Sequence, residues 1–408
     1  GLAPMGAALL PEGAPRGAGG PGPTIERTGQ GVVVDNGLLR ARFTPDGAVA
    51  SLLVRHDGAP AQEVVPPGQR LGVLQIAQDL PNEWDAWDLD PFYRGSLREL
   101  AGSLEAVEER DGVVRVVVEV AFGASRAWLR WTLAAGSSVL GLDTEVDWRE
   151  SEKVLKLALP VDVHTDHAVY GSQFGHLRRP THENTSWEAY RFEVCAHKWL
   201  HVGEPGRGLG VANDSTYGWD ITRHSRQGAG TWSLVRATLL RAPRFPDPRA
   251  DRGVHRFGFR LLACPTPDAV REEAYRLDLP VRELALPAGT GLAGLEERVA
   301  PLVRATGAVV ESLHAADDGS GDVLVRLYEA RGARSRVILS APEMGGAVGA
   351  DLHGAPSERG VQVEPAGAQA PGGRQAGGAQ GAWAFELHPF GVATIRLSPR
   401  RPVTGEGE

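Results

Sequence analysis

The sequence predicts an all-β fold of antiparallel sheets packed face to face, and three observations predict it. Apolar and polar residues alternate along strand-length runs: in RAWLRWTL, Ala127, Leu129, Trp131 and Leu133 share one face while Arg126, Trp128, Arg130 and Thr132 share the other. Turn signals such as Asp35-Asn36-Gly37, Pro45-Asp46-Gly47 and His56-Asp57-Gly58 separate the runs, because Asn-Gly and Asp-Gly supply the positive φ that tight hairpins need. Helical signals are confined to two short stretches. Strands of a parallel sheet covered on both sides would read as continuous apolar runs, so alternation selects antiparallel sheets with one wet face.

Residues 1–30 are rich in Gly, Ala and Pro, bury too little apolar surface to offset backbone ordering, and are expected to be a linker with one strand near Met5–Leu10. From Val32 a meander begins. Leu140, Leu142, Thr144, Val146 and Trp148 form a further one-sided face, and Leu155, Leu157, Leu159, Val161 and Val163 another, each with its opposite side expected to meet water. The clearest helix starts at Thr266-Pro267-Asp268, where Thr caps and Pro fits the first helical position. A domain junction is expected near 265–285, followed by a helix over Gly294–Thr306 and strands at Val309–His314, Asp322–Glu329 and Arg334–Leu339. Residues 341–381 read as a mobile Gly/Ala/Gln-rich loop before the last strands, Trp383–Leu387 and Gly391–Leu397. The resulting division is a linker (1–30), a first β domain (31–270) and a second (271–408).

At 408 residues the chain exceeds the size at which one core stops growing, so two domains are expected. A net charge of -8 without a basic cluster is not the footprint of a nucleic-acid binder, and no apolar run approaches the ~20 residues of a membrane span. Neutral, polar small molecules fit better. Cys195 and Cys264 are too few for a disulfide scaffold or a cysteine zinc site, and the alternating segment around Cys195 predicts burial, as in a cytoplasmic protein with reduced thiols. The first residues carry no signal-peptide pattern, and the chain does not begin with Met, so it is expected to be processed or to begin partway through a larger product.

Two stretches depart from plain strand chemistry: Gly171–Val194, GSQFGHLRRPTHENTSWEAYRFEV, and Asn82–Tyr93, NEWDAWDLDPFY. Both mix aromatic rings with carboxylates, guanidinium groups and imidazoles. That mixture suits sugars, whose C–H face packs on a ring while hydroxyls bond charged groups; it equally describes sandwich core beside solvated loop. Trp84, Asp85, Trp87, Asp88, His176, Arg178, Arg179, His182, Asn184 and Trp187 are the expected substrate contacts. The clustered acids Glu83, Asp85, Asp88, Asp90, Glu183 and Glu188 are expected to touch hydroxyls, since sequence proximity does not place two carboxylates across a scissile bond. No catalytic residue is assigned. His164-Thr165-Asp166-His167 lacks the spacing of a helix-borne zinc site, and its imidazoles would face opposite sides of a strand. No nucleophile elbow, Cys/His pair or phosphate-binding glycine loop is present in the sequence.

Seven collinear stretches, DNGLLRARFTPDGAVASL, LPNEWDAWDLDPFY, QFGHLRRPTHENTSWEAYRFEVCAHKW, GLGVANDSTYGWDI, LLRAPRFPDPRADRGVHRFGF, RLYEARG and HPFGVATIRL, resemble the C-terminal β region of glycoside hydrolase family 38, the retaining α-mannosidases, in its bacterial form. The resemblance implies an antiparallel supersandwich like that of galactose mutarotase, followed by a smaller β-sandwich. In that family the zinc ligands and the nucleophilic aspartate lie in an N-terminal barrel, which nothing in this sequence matches. Zinc is therefore expected in that missing catalytic domain, and the chain is expected to begin inside the family's architecture. Three functions follow: the carbohydrate-binding and supporting region of an α-mannosidase with an N-terminal catalytic polypeptide as partner; a free-standing module for mannose-containing glycans; or a mutarotase-like epimerase using His176 and a nearby Glu.

Overall fold

The computed structural model describes residues 22–55, 58, 60–226, 228, 230–282, 301–366 and 381–400, with the backbone of Ala7–Ala8 and Arg298–Val299. Two compact units divide them: residues within Pro15–Ser172 and Leu177–Glu283 make the larger, and those within Gly1–Ala14, Gln173–His176 and Leu284–Glu408 the smaller.

The larger unit is an antiparallel supersandwich of nine-, six- and five-stranded sheets. The alternating segments read from sequence are neighbours in the nine-stranded sheet, where Ser125–Ala134 pairs on one side with Val113–Phe122 and on the other with Val139–Trp148. Their apolar faces, including Leu129, Trp131, Leu142 and Trp148, are buried in one continuous core with Leu155, Leu157 and Leu159 of the six-stranded sheet. Removing a ring such as Trp131 from a core of this density costs about 3–5 kcal/mol. The five-stranded sheet begins earlier than expected, since Thr24–Thr28, read as linker, pairs with Gly31–Asp35 as its first strand; the turns of the sheet use the expected glycines: Gly37 has φ +88° and Gly47 φ +81°. At Gly47 a Cβ would also lie 2.3 Å from Val118, so close packing and left-handed backbone exclude any other residue.

The six-stranded sheet departs from expectation. Its order is Val194–Cys195, Gly218–Ser225, Thr231–Leu240, Lys153–Val161, Val73–Gln78 and Arg98–Glu99. Lys153–Val161 is buried on both faces, not one, because loop residues including Tyr93, Leu89 and Phe192 pack over Ala77 and Val154 on the side away from the main core. Cys195, expected inside, is exposed on the two-residue edge strand, and both cysteines are free.

The helix Pro267–Asp278 forms as expected, with Thr266 accepting from the Ala269 N–H and Pro267 at its first turn. It buries Val270 and Ala274 against Trp199 and Ala212 of the larger unit, and Lys198 bonds Asp278 at 3.0 Å. The helix expected over Gly294–Thr306 is corrected wherever residues there are described: Arg298–Val299 and Arg304–Thr306 are strands, the former paired with Ala7–Ala8. Residues 294–297 and 300 lie outside the described residues.

The smaller unit contains two four-stranded antiparallel sheets around Leu327, Val337, Leu339, Phe385 and Ile395. The segment expected to be one loop, 341–381, supplies the strands Met344–Ala350 and Glu364–Pro365; residues 367–380 of it lie outside the described residues. RLYEARG and HPFGVATIRL meet at the buried Glu329, whose carboxylate accepts N–H bonds from Arg331 (2.7 Å), Gly332 (2.8 Å), Ala333 (3.1 Å) and Phe390 (3.1 Å). Burial pushes this carboxyl up, but the four donors outweigh it and hold it below the ordinary glutamate value.

Candidate functional site

A charge on a buried strand needs partners, and the outer face of the six-stranded sheet carries three. Register places Thr238 opposite both Lys156 and Gly218, and Arg236 opposite both Ala158 and Asp220. Lys156 is wholly buried, and its Nζ donates to Asp220 Oδ2 (2.7 Å), Thr238 Oγ1 (2.9 Å) and Glu193 Oε1. Arg236 bonds Asp220 through Nε (2.9 Å), and its terminal nitrogen lies 2.7 Å from the same carboxylate. Glu193 also accepts from Tyr93 OH (2.8 Å) and Thr238 Oγ1 (3.0 Å), while the Lys156 ammonium sits 4.7 Å from the Tyr93 ring centre.

Burial alone would strip the charge from Lys156 and Asp220, but each is held in its ionised form by its neighbours. Desolvation pulls the Lys156 ammonium down, and Asp220 with Glu193 more than reverses it. Desolvation pushes Asp220 up, and Lys156 with Arg236 takes it below the ordinary aspartate value. Burial, then Asp220, raise the Tyr93 phenol, so it stays protonated and donates. A carboxylate held this low does not take up a proton near neutrality. The network is an anchor, not an acid–base pair.

What it anchors is the two loops singled out from sequence. Tyr93 and Arg94 belong to the short 3-10 helix Pro91–Ser96, which follows NEWDAWDLD, while Glu183, Phe192 and Glu193 lie in the other stretch. Arg94 bonds Glu183 Oε1 at 2.6 Å and the Phe192 carbonyl at 3.3 Å, so the two stretches meet at Tyr93–Arg94.

The expected contacts separate around this junction. Asp85 is committed to the fold: one carboxylate oxygen accepts from the Arg244 N–H (2.6 Å) and the Phe245 N–H (2.9 Å). Asp88 lends its backbone carbonyl to Arg241, which also bonds the Asp85 carbonyl (3.1 Å) and the buried Asp79 (2.6 Å). Trp84 and Trp87 stand in solvent. In the second stretch, Thr185 and Glu188 form a reciprocal capping box on the four-residue helix Ser186–Ala189, a helix not expected from the sequence. His182 Nδ1 lies 3.3 Å from Glu188, and the exposed Trp187 ring has the Arg191 guanidinium 5.5 Å from its centre. Asn184 and Arg178 are exposed and Arg179 half-buried. His176 belongs to the smaller unit, where its ring stands edge-on to Phe390 at 5.2 Å and Nδ1 lies 3.1 Å from the Ala330 carbonyl oxygen.

Lys156, Asp220, Arg236, Glu193, Asp79 and Arg241 were not singled out from sequence. The signal was present in part: KVLKLALPV and WSLVRATLL are apolar strands each interrupted by one or two bases, and a buried base implies a buried acid. Among the described residues, no three His, Cys, Asp or Glu side chains converge so as to hold a metal ion, and His164 and His167 have separate partners in Thr231 and Asp166. No described helix is long and apolar enough to cross a membrane.

Comparison with known proteins agrees with this architecture. The chain is 34% identical over 319 residues to Alpha-mannosidase 2C1 of Homo sapiens, covering 76% of this chain and 29% of that protein. It is 29% identical over 313 residues to Alpha-mannosidase G of Dictyostelium discoideum, covering 74% and 27%. The chain thus spans less than a third of the length of these relatives. A solved glycosyl hydrolase family 38 protein from Enterococcus faecalis superposes with a TM-score of 0.65 at 12% identity, over 90% of this chain and 44% of that one; the likeness is one of fold. The model of the "Glycosyl hydrolases family 38 C-terminal domain" matches residues 34–249, more than half of the chain. The chain therefore belongs to the glycosyl hydrolase family 38 C-terminal domain family.

Proposed function

We propose that this chain is the β region of a family 38 α-mannosidase and presents the loops at 82–97 and 178–193 to a mannose-containing glycan, while an N-terminal catalytic polypeptide performs the cleavage. The observation that supports it most is the joining of those two loops through Tyr93, Arg94, Glu183 and Glu193 onto a fully engaged buried network. Such anchoring preorganises loop side chains, which is what binding residues on loops require of a scaffold. Arg178 and Arg179 lie at the end of the strand Gly175–Pro180, His182, Asn184 and Trp187 along the segment that follows it, and Trp84, Trp87 and Asp88 along the first loop. A cytoplasmic setting belongs to this proposal, supported by the two unpaired cysteines.

The described residues offer no donor set that fits zinc. In this proposal the metal and nucleophile are supplied by the barrel, and this chain's residues take no part in the bond-breaking step. The test is hydrolysis of an aryl α-mannoside by the purified chain supplied with zinc. The expected result is no turnover above buffer; zinc-dependent turnover by this chain alone would overturn the division of labour.

A further inference from the structure

Two exposed indole rings of the larger unit share one loop. Trp84 is 64% and Trp87 84% exposed, with ring centroids 6.1 Å apart and planes 25° from parallel, a ledge made by one stacked indole pair. The loop that carries them is held from beneath. The Trp84 carbonyl accepts N–H bonds from Trp87 (2.7 Å) and Asp88 (2.9 Å), Arg241 holds the Asp85 and Asp88 carbonyls, and Asp85 ties the loop to Arg244–Phe245. Trp84 itself has φ +56°, a left-handed conformation that non-glycine residues adopt at a cost of about 1–2 kcal/mol and that the surrounding bonds impose.

The residues that flank the two rings in sequence include exposed acids. Glu83 and Asp88 are exposed, and among the described residues neither carboxylate takes part in a hydrogen bond or ion pair. A protein or membrane surface laid on the two rings would have to bury or neutralise those carboxylates. A pyranose does neither: its C–H face covers an indole while its equatorial hydroxyls donate to the carboxylates. Because the loop is already fixed, binding does not have to order it.

We propose that Trp84 and Trp87, flanked in sequence by Glu83 and Asp88, form a preorganised subsite for pyranose units of a neutral glycan, with Asp85 and Arg241 serving the loop and not the sugar. The inference rests on the glycan reading above and names where the sugar sits. The chain is titrated with a linear α-mannotriose, following calorimetric heat and tryptophan fluorescence. Wild type binds with a change in fluorescence. W84A/W87A loses at least about tenfold in affinity, about 1.4 kcal/mol, with an unchanged thermal midpoint because both rings are exposed. W84F/W87F recovers most of the loss, and Y190A, which removes another exposed ring, matches wild type. Binding undiminished in W84A/W87A, no binding to wild type at millimolar sugar, or a W84A/W87A defect seen only in association with a barrel polypeptide would each overturn the subsite. None of these outcomes decides the proposed supporting role, which is tested by hydrolysis in the presence of a barrel.

Discussion

Lys156 shows what one residue does in this fold. It donates to three side chains from a wholly buried position, so replacing it with Met removes the cation that balances Glu193 and leaves Asp220 with the Arg236 cation. Breaking a buried ion pair from one side costs about 3–5 kcal/mol, and K156M is expected to lower the urea midpoint accordingly while K153M, at the strand's half-exposed start, changes it little. A K156M midpoint equal to wild type would mean the network is solvated. Glu329 provides the matching pH test. Its folded pKa lies below the ordinary value of about 4, so its stabilising effect is full above that value and is lost as pH falls through the depressed folded pKa. The stability gap between wild type and E329Q should therefore be widest near pH 7 and shrink below about pH 4. A gap independent of pH would show that the four N–H bonds do not favour the ionised form.

At the scale of elements, much was legible because sheet periodicity is local. Ala127, Leu129, Trp131 and Leu133 alternate whatever lies beyond them, and the turn glycines declare their φ by identity. The outer face of Lys153–Val161 was not legible, since whether Val154 and Lys156 meet water depends on loops from 89–97 and 192–193 far away in sequence. The Gly294–Thr306 expectation failed for a related reason: a short amphipathic segment suits helix or strand, and pairing with Ser335–Ser340 decided Arg304–Thr306. The site was half legible. Aromatic and acidic loop residues stood out, but Asp85 turned out to hold backbone, and its clamp Arg241 read as an ordinary basic residue. D85A should accordingly speed amide exchange at Arg244 and Phe245 and cost about 1–2 kcal/mol, leaving core amides such as Leu142 protected. Unchanged exchange at those two amides would contradict the clamp.

At the scale of the whole molecule, the larger unit exposes Trp84, Trp87, Phe92, Trp187, Tyr190 and Phe245, and the smaller unit exposes Phe174. If the chain holds those rings in place for a glycan cut by a catalytic barrel, the two parts must work together. The most direct test joins this chain to the barrel and helical region of a family 38 α-mannosidase whose own β region has been removed, and measures hydrolysis of an aryl α-mannoside with zinc. The expected result is that the barrel region alone is inactive or weak and that adding this chain restores turnover. A hybrid that folds, binds zinc and forms a stable complex, yet hydrolyses no faster than the barrel region alone, would contradict the proposed role.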